Sequence, residues 1–149
     1  MKGILTMNKK HTHLWLLLAL VALLAAACTP QATDPTPVTA EQLSGEWTLT
    51  EINGSAPMAG STITLTMENG EVSGTGGCNS YGGQVLLEGM QLSFSELYAT
   101  EMFCMEPEGI MDQETTYHQT LSQIASFEIV DGSLALKNAD GETTLLFAQ

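Results

Sequence analysis

Residues 74–83 read GTGGCNSYGG, with five glycines around a single cysteine and a single asparagine. Such a run is compatible with a phosphate-binding loop, a reactive thiol, or a corner at which the backbone must bend. A GxGxxG pattern starting at Gly74 would need a glycine at position 79, where Asn79 stands, and no Gly-Lys pair follows. The spacing therefore argues against nucleotide binding and leaves the thiol and the corner open.

The segment before this stretch has the alternating pattern of a β-strand. In residues 61–68, STITLTME, the apolar residues Ile63, Leu65 and Met67 alternate with threonines, and Asn69-Gly70 then predicts a two-residue hairpin turn. Pairing about that turn sets Leu65 opposite Gly74, on the apolar face. A glycine in that position indicates a bend or a close approach by another element.

Three further turns divide the remaining sequence. The pattern predicts hairpin turns at Glu88-Gly89 and Asp131-Gly132, and Asp140-Gly141 leads into a last strand. An opening strand carries Trp47. Together these segments predict seven or eight short antiparallel strands.

One segment has a helical period instead. Ile110, Tyr117, Leu121 and Ile124 fall on one face of a helix. We therefore predict an α+β domain: a strongly curved antiparallel sheet, or a partly open barrel of about seven to eight short strands, with one helix packed on it.

The amino terminus has the pattern of a bacterial export signal. Basic residues precede the uncharged apolar residues 14–27, a stretch shorter than the roughly 20 residues that a spanning helix needs. It ends in Ala-Ala-Ala-Cys, which resembles a lipobox, with Ala25 where leucine is usual. We predict that residues 1–27 are a lipoprotein signal peptide and that Cys28 carries the lipid. The alternative is ordinary signal cleavage with Cys28 left as a free thiol, and Met7 is an equally good start.

The region after the signal is acidic. Residues 28–42 are rich in threonine and proline and predict a disordered tether, which places the folded domain at residues 43–149. After Cys28 there are 17 acidic residues and one cation, Lys137, so the net charge is 1 − 17 = −16. Such a surface repels phosphate backbones and anionic head groups. We expect no nucleic-acid partner, and membrane attachment only through the lipid on Cys28, facing the periplasm or the cell exterior.

Two cysteines remain once Cys28 is set aside, Cys78 and Cys104. Export places them in an oxidising compartment, where a pair usually forms a bridge. The predicted disulfide would tie the sheet to the entry of the helix.

The same residues resemble the META domain family. Gly77-Cys78-Asn79, with Tyr81 and Gly83, is similar to the GCNxYxG signature of that family. Residues 100–104 are similar to its TxMAC element, with Phe103 where alanine is usual. Thr100 and Met102 carry that element, Trp47 and Glu114 are further matches, and the resemblance covers about residues 43–147.

The resemblance implies a small β-rich domain with one helix, often anchored as a lipoprotein. Members are associated with heat response, antibiotic tolerance, motility and secretion, and no enzymatic activity is implied. For Glu114 we expect hydrogen bonds from backbone groups of the sheet; the alternative is that it lines a ligand site. Asn79 suits a bend after Cys78.

The sequence offers less support for a catalytic site or a metal site. A Cys78 nucleophile needs a base, and the one histidine after Cys28, His118, is expected to be partly exposed beside the apolar stripe. Glu68 and Glu71 face each other across a turn, but no spaced set of oxygen ligands for calcium follows. We expect no catalytic residue, metal or cofactor.

The sequence therefore predicts a non-catalytic, lipid-anchored module of the cell envelope, for interaction or stress response, with an unidentified protein partner. The alternative is a carrier of an apolar ligand in a cavity of the curved sheet. A large interior cavity would favour the carrier, and a filled interior would contradict it. A hydrolase is a third, weak alternative.

Overall fold

The computed structural model describes residues 40–149. The predicted signal peptide at residues 1–27, the lipid site at Cys28 and the tether up to residue 39 lie outside the described residues. The described chain opens with a helical turn, α1 (Ala40–Leu43), in which the last three tether residues, 40–42, take part.

Eight strands follow α1, and a longer helix lies between the fifth and the sixth. The strands are β1 (Glu46–Ile52), β2 (Thr64–Glu68), β3 (Glu71–Thr75), β4 (Ser80–Glu88), β5 (Gln91–Ala99), β6 (Ile124–Val130), β7 (Ser133–Asn138) and β8 (Thr143–Ala148), and the helix is α2 (Ile110–Leu121).

The strands form a ring in chain order, and every neighbouring pair is antiparallel. β8 returns to β1, with Leu49 opposite Phe147, which closes the sheet. The contact between β5 and β6 is thin, because only Gln91 and Ser126 are paired. The prediction of an α+β fold with a strongly curved sheet or partly open barrel and one helix is confirmed.

The hairpin turns largely follow the sequence prediction. At Asn69-Gly70, both residues have positive φ, and Leu65 lies opposite Gly74 as predicted. The prediction for the β4–β5 hairpin was wrong by one residue, since Glu88 pairs with Gln91 and the turn is Gly89-Met90. Gly89, at φ 63°, takes the first turn position, and the shift moves the Met90 side chain to solvent.

The interior of the barrel is filled by large apolar side chains. Trp47, Phe127 and Phe147 are at most 2% exposed and pack with leucines and isoleucines from the other strands. The Trp47 indole N–H also donates to the carbonyl of Leu43, at 2.9 Å, which joins α1 to β1. Close packing of this kind argues against a ligand inside the barrel.

α2 covers one end of the barrel. Tyr117 and Leu121 on its inner face are fully buried, whereas Ile124, predicted on the same helical face, is the first residue of β6. Ile124 is nevertheless buried, so its apolar character fits both assignments. Within residues 40–149, neither α1 nor α2 has the length and apolar character that a membrane-crossing helix requires.

Candidate functional site: a clamped loop

Residues 74–83 form the end of β3, a corner and the start of β4, at the barrel end that α2 covers. At Gly74, a Cβ atom would lie 2.0 Å from the backbone oxygen of Thr64 and 2.9 Å from the Tyr81 hydroxyl. Cβ atoms essentially never come this close to another heavy atom, so a side chain here would force the neighbours to shift. Glycine at this position is therefore what lets β2, β3 and the Tyr81 side chain approach so closely.

Tyr81 connects the sheet to the helix. Its hydroxyl donates to the Thr64 carbonyl at 2.9 Å and lies 2.6 Å from the hydroxyl of Tyr117. Since the Tyr81 proton is used on Thr64, Tyr117 is the donor to Tyr81. Burial raises the pKa of both tyrosines above the usual value, so both stay protonated and the pair persists.

Glu114 points from α2 into the corner and is buried. One oxygen, Oε1, accepts from the backbone N–H of Asn79 at 2.6 Å and of Cys78 at 3.2 Å, and Oε2 accepts from Asn79 Nδ2 at 2.7 Å. A Cβ at Gly76 would lie 2.7 Å from Oε1, so this glycine leaves room for the carboxylate. Three donors compensate the cost of burying the group.

Asn79 connects Glu114 to the segment that follows β5. Its Oδ1 accepts from the Thr100 hydroxyl and from the Met102 N–H, both at 2.7 Å, and its Nδ2 donates to the Met102 carbonyl at 3.1 Å. With the bond to Glu114, both amide protons and both acceptor positions are in use. The buried amide therefore fixes the backbone at residues 100–102.

The predicted disulfide is present. Cys78 and Cys104 are bonded, with their Cα atoms 5.9 Å apart, and the Cys104 N–H also contacts the Met111 sulfur at 3.5 Å. The disulfide and Asn79 thus hold the same segment at two points. We call Glu114, Asn79 and the disulfide together the clamp, and residues 100–109, between β5 and α2, the clamped loop.

The clamped loop carries large apolar side chains on its outside. Met102, Phe103 and Met105 are 55%, 79% and 77% exposed. Glu101, Glu106 and Glu108 are exposed on the same loop. This apolar surface is the feature of the site that the fold itself does not use.

His118 lies beside the clamp and is half-buried. Its ring packs on Tyr81 and Tyr117, with centroids 5.3 Å and 5.5 Å away, and its Nε2 atom is buried without a hydrogen-bond partner. Burial lowers the pKa of His118, and the nearby Glu114 carboxylate opposes that shift. Cys78, which such a base would have to activate, has no free thiol here.

The other predicted family positions lie in the barrel strands or at the corner. Trp47 is a core residue of β1, Gly77 has φ 115° at the corner beneath Ile110, and Gly83 is buried in β4 against Leu97. Sequence reasoning missed two features: the hydroxyl pair of Tyr117 with Tyr81, and the exposed side chains of the clamped loop. The second had a signal, because the apolar run in residues 102–105 has neither strand nor helix period.

Metal ligation has no candidate cluster in the described part of the chain. No three or more His, Cys, Asp or Glu side chains come together there in a way that could hold an ion. Glu68 and Glu71 do lie opposite each other, as expected from the turn, at the end of β2 and the start of β3.

A helix-capped antiparallel barrel, with a buried carboxylate–amide pair and a disulfide that hold one loop, defines the class of this protein. Residues 40–149 match the META domain, and the chain belongs to that family. It is similar to an NMR structure of a protein from Burkholderia xenovorans, at 30% identity and a TM-score of 0.56, over 80% of this chain and 94% of that one. A second NMR structure is 24% identical, with a TM-score of 0.58, over 74% and 92% of the two chains, and shows the same fold. No curated protein matches the chain.

Proposed function

We propose that this META-domain protein is an exported, lipid-anchored module of the bacterial cell envelope that acts by binding another protein and has no catalytic activity. The clamped loop carries the proposal. A buried carboxylate, a buried amide and a disulfide all serve to hold one exposed apolar loop in place. Exposed apolar surface on a rigid segment is typical of a protein interaction site.

The non-catalytic part of the proposal rests on how the polar groups are used. Cys78 is in a disulfide, the Asn79 amide has all its hydrogen-bonding positions filled, and Glu114 accepts three hydrogen bonds. Groups engaged in this way support the structure and are not free to act on a substrate. Purified protein should be inactive toward ester, peptide and glycoside substrates, and turnover lost in Glu114→Gln would contradict this.

The anchoring part of the proposal rests on the sequence. Residues 14–27 and the Ala-Ala-Ala-Cys ending support a lipid on Cys28. Labelled palmitate should enter the wild-type chain but not Cys28→Ser, and globomycin should cause the unprocessed form to accumulate. A chain that is processed normally in globomycin and takes up no label would contradict the anchor.

A role in stress response follows only from the associations of the family. A strain without the gene should survive heat less well than its parent, and the wild-type gene should restore survival better than Cys28→Ser. Equal survival of the deleted strain and its parent across heat and envelope-active antibiotics would contradict this role while leaving the binding proposal intact.

The carrier alternative has one supporting feature, a groove at the other end of the barrel. It has a volume of about 450 Å³, and its apolar lining is Leu43, Met67, Val85, Leu87 and Leu92. That volume is in the range of small-molecule sites. If the protein is a carrier, lipid should co-purify with the wild type and be lost in Leu87→Glu. Absence of bound lipid from the wild type would contradict the carrier and leave the binding module as the remaining proposal.

The direct test of the binding module is crosslinking in intact cells. A short amine-reactive crosslinker has one lysine to use after Cys28, Lys137, so photoreactive residues placed at several surface positions are better suited. Reproducible covalent partners should appear from at least one surface of the described domain. No partner from any surface would contradict the proposal.

A further inference from the structure

We propose that the clamped loop binds a protein segment that presents large apolar side chains flanked by lysine or arginine. The inference rests on the proposed binding function and adds the surface and the chemistry of the partner.

The apolar part of the surface is a groove beside the loop. Phe103, Met105 and Met111 line it, and its volume is about 410 Å³. Phe103 and Met105 are the two most exposed large apolar side chains among the described residues. Methionine adapts its shape to different apolar partners, and a large aromatic side chain is a common anchor in protein interfaces.

The groove also carries negative charge. Glu108 and Asp112 are part of its lining, and Glu101 and Glu106 are exposed on the same loop. The single cation in residues 40–149, Lys137, is in an ion pair with Glu128 on the neighbouring strand. The charge of the groove is therefore left for a partner to complement.

This charge selects among possible occupants. An anionic membrane surface would be repelled, and a second copy of this chain would bring the same acidic groove. A cationic amphipathic segment satisfies both parts of the groove, because its apolar residues contact Phe103 and its basic residues face Glu108 and Asp112.

The clamp favours binding as well. Asn79 fixes the backbone at Met102, and the disulfide fixes it at Cys104, on either side of Phe103. A loop already held in place loses little conformational freedom when a partner binds, so more of the contact free energy appears as affinity.

The first experiment uses the full chain, purified as the cell produces it, and three labelled peptides of equal length. One places leucine on one face of a helix and lysine on the other, one replaces lysine with glutamate, and one replaces leucine with serine. Only the leucine–lysine peptide should bind tightly, with chemical-shift changes at the Phe103 and Met105 signals. Equal binding of the three peptides, or no binding of the first, would overturn the proposal.

Two pairs of substitutions test the groove itself. Phe103→Ser with Met105→Ser should weaken binding of that peptide at least about tenfold, the size expected for loss of interface anchors. Glu108→Gln with Asp112→Asn should weaken it too and reduce its salt dependence.

The matched control, Leu86→Ser with Glu88→Gln on the β4–β5 hairpin, should bind like the wild type. All six substituted side chains are exposed, so folding should be preserved, and circular dichroism checks this.

The second experiment separates this inference from the proposed function. A photoreactive phenylalanine analogue is placed at Phe103 or, as controls, at Leu86 and Tyr98, and crosslinked in intact cells. The segment captured from position 103 should contain lysine or arginine beside apolar residues. Capture only from Leu86 or Tyr98, or capture of lipid from position 103, would overturn the inference and leave a binding module in place. Capture from no position would overturn both.

Discussion

Glu114 supports the clamp through its hydrogen bonds to Cys78 and Asn79. Its carboxylate is buried and accepts hydrogen bonds from two backbone N–H groups and one side-chain amide. Replacing Glu114 with glutamine removes the charge and turns one acceptor into a donor that faces Asn79. We expect Glu114→Gln to lower the free energy of unfolding by about 2–3 kcal/mol, measured by urea denaturation.

The matched control is Glu51→Gln, an exposed carboxylate on β1. It makes the same chemical change without a buried partner and should leave the unfolding midpoint unchanged. Equal effects of the two substitutions would show that the Glu114 bonds contribute nothing specific.

His118 makes stability depend on pH in a defined direction. Burial lowers its pKa in the folded state, so the unfolded chain binds the proton more readily. Stability contributed by neutral His118 is therefore fully present above the unfolded pKa of about 6.5 and declines as pH falls through that value, until the folded form also protonates.

The prediction is a comparison of the wild type with His118→Gln. The wild-type chain should lose more stability than the variant between about pH 7 and pH 5, because the carboxylates titrate in both chains and only the histidine differs. After Cys28 there is no second histidine to interfere. Parallel pH profiles from thermal unfolding would contradict the assigned burial.

The sequence could predict part of this site. Two cysteines after a predicted export signal predicted the disulfide, and Glu114, a match to the family on the predicted helix, was expected to accept hydrogen bonds from the sheet. It could not show that Asn79 joins Glu114 to Met102, because that contact links residues far apart in the chain whose proximity depends on closure of the barrel.

At the scale of elements, the β2–β3 hairpin depends on Gly74. A methyl group there would meet the Thr64 carbonyl at 2.0 Å, and backbone cannot move aside as a side chain can. We expect Gly74→Ala to destabilise the protein by about 2 kcal/mol or more, in the range of overpacked sites, and to weaken the Tyr81–Tyr117 contact. Ser73→Ala, at the exposed neighbouring position of β3, is the control and should be close to neutral by the same denaturation measurement.

The disulfide joins two elements, the β3–β4 corner and the clamped loop. It closes a loop of 26 residues in sequence, for which the chain-entropy account gives about 3–4 kcal/mol of stabilisation. The paired variant Cys78→Ser with Cys104→Ser should therefore unfold at lower urea concentration than the wild type. Reducing agent should shift the wild type to the variant's midpoint and leave the variant unchanged; equal midpoints for oxidised and reduced wild type would contradict the account.

The elements were predictable to different degrees. The hairpin turns at Asn69-Gly70 and Asp131-Gly132 were predicted at the right residues. Few other residue pairs accept a positive φ at both turn positions. The β4–β5 turn was misplaced by one residue because Gly89 can serve at either turn position, and alternation of apolar residues alone did not decide between the two registers.

At the scale of the whole molecule, the net charge affects stability. The chain after Cys28 carries a net charge of 1 − 17 = −16, so its acidic groups repel one another in the compact state. Raising sodium chloride from about 0.02 M to about 0.3 M shortens the reach of that repulsion and should raise the unfolding temperature. Potassium chloride should raise the unfolding temperature equally. An unfolding temperature that stays constant or falls as salt is added would show that charge repulsion does not limit the stability of the protein.

Closure of the barrel is the property that the sequence left open. Local patterns predicted strands and turns, but pairing of β1 with β8 joins the two ends of the domain and has no local signal. Periodicity could therefore predict a curved sheet or partly open barrel, but not that the first and last strands pair. The same closure brings α2 onto the corner at residues 74–83 and so creates the clamp.

The most direct test of the clamp is amide hydrogen exchange at Met102. Its N–H donates to the buried Asn79 side chain and belongs to no strand. The account predicts protection of this amide comparable to that of the β4 amides, and loss of it in Asn79→Ala while β4 stays protected. Exchange of the Met102 amide at the rate of an unstructured chain in the native protein would contradict the clamp.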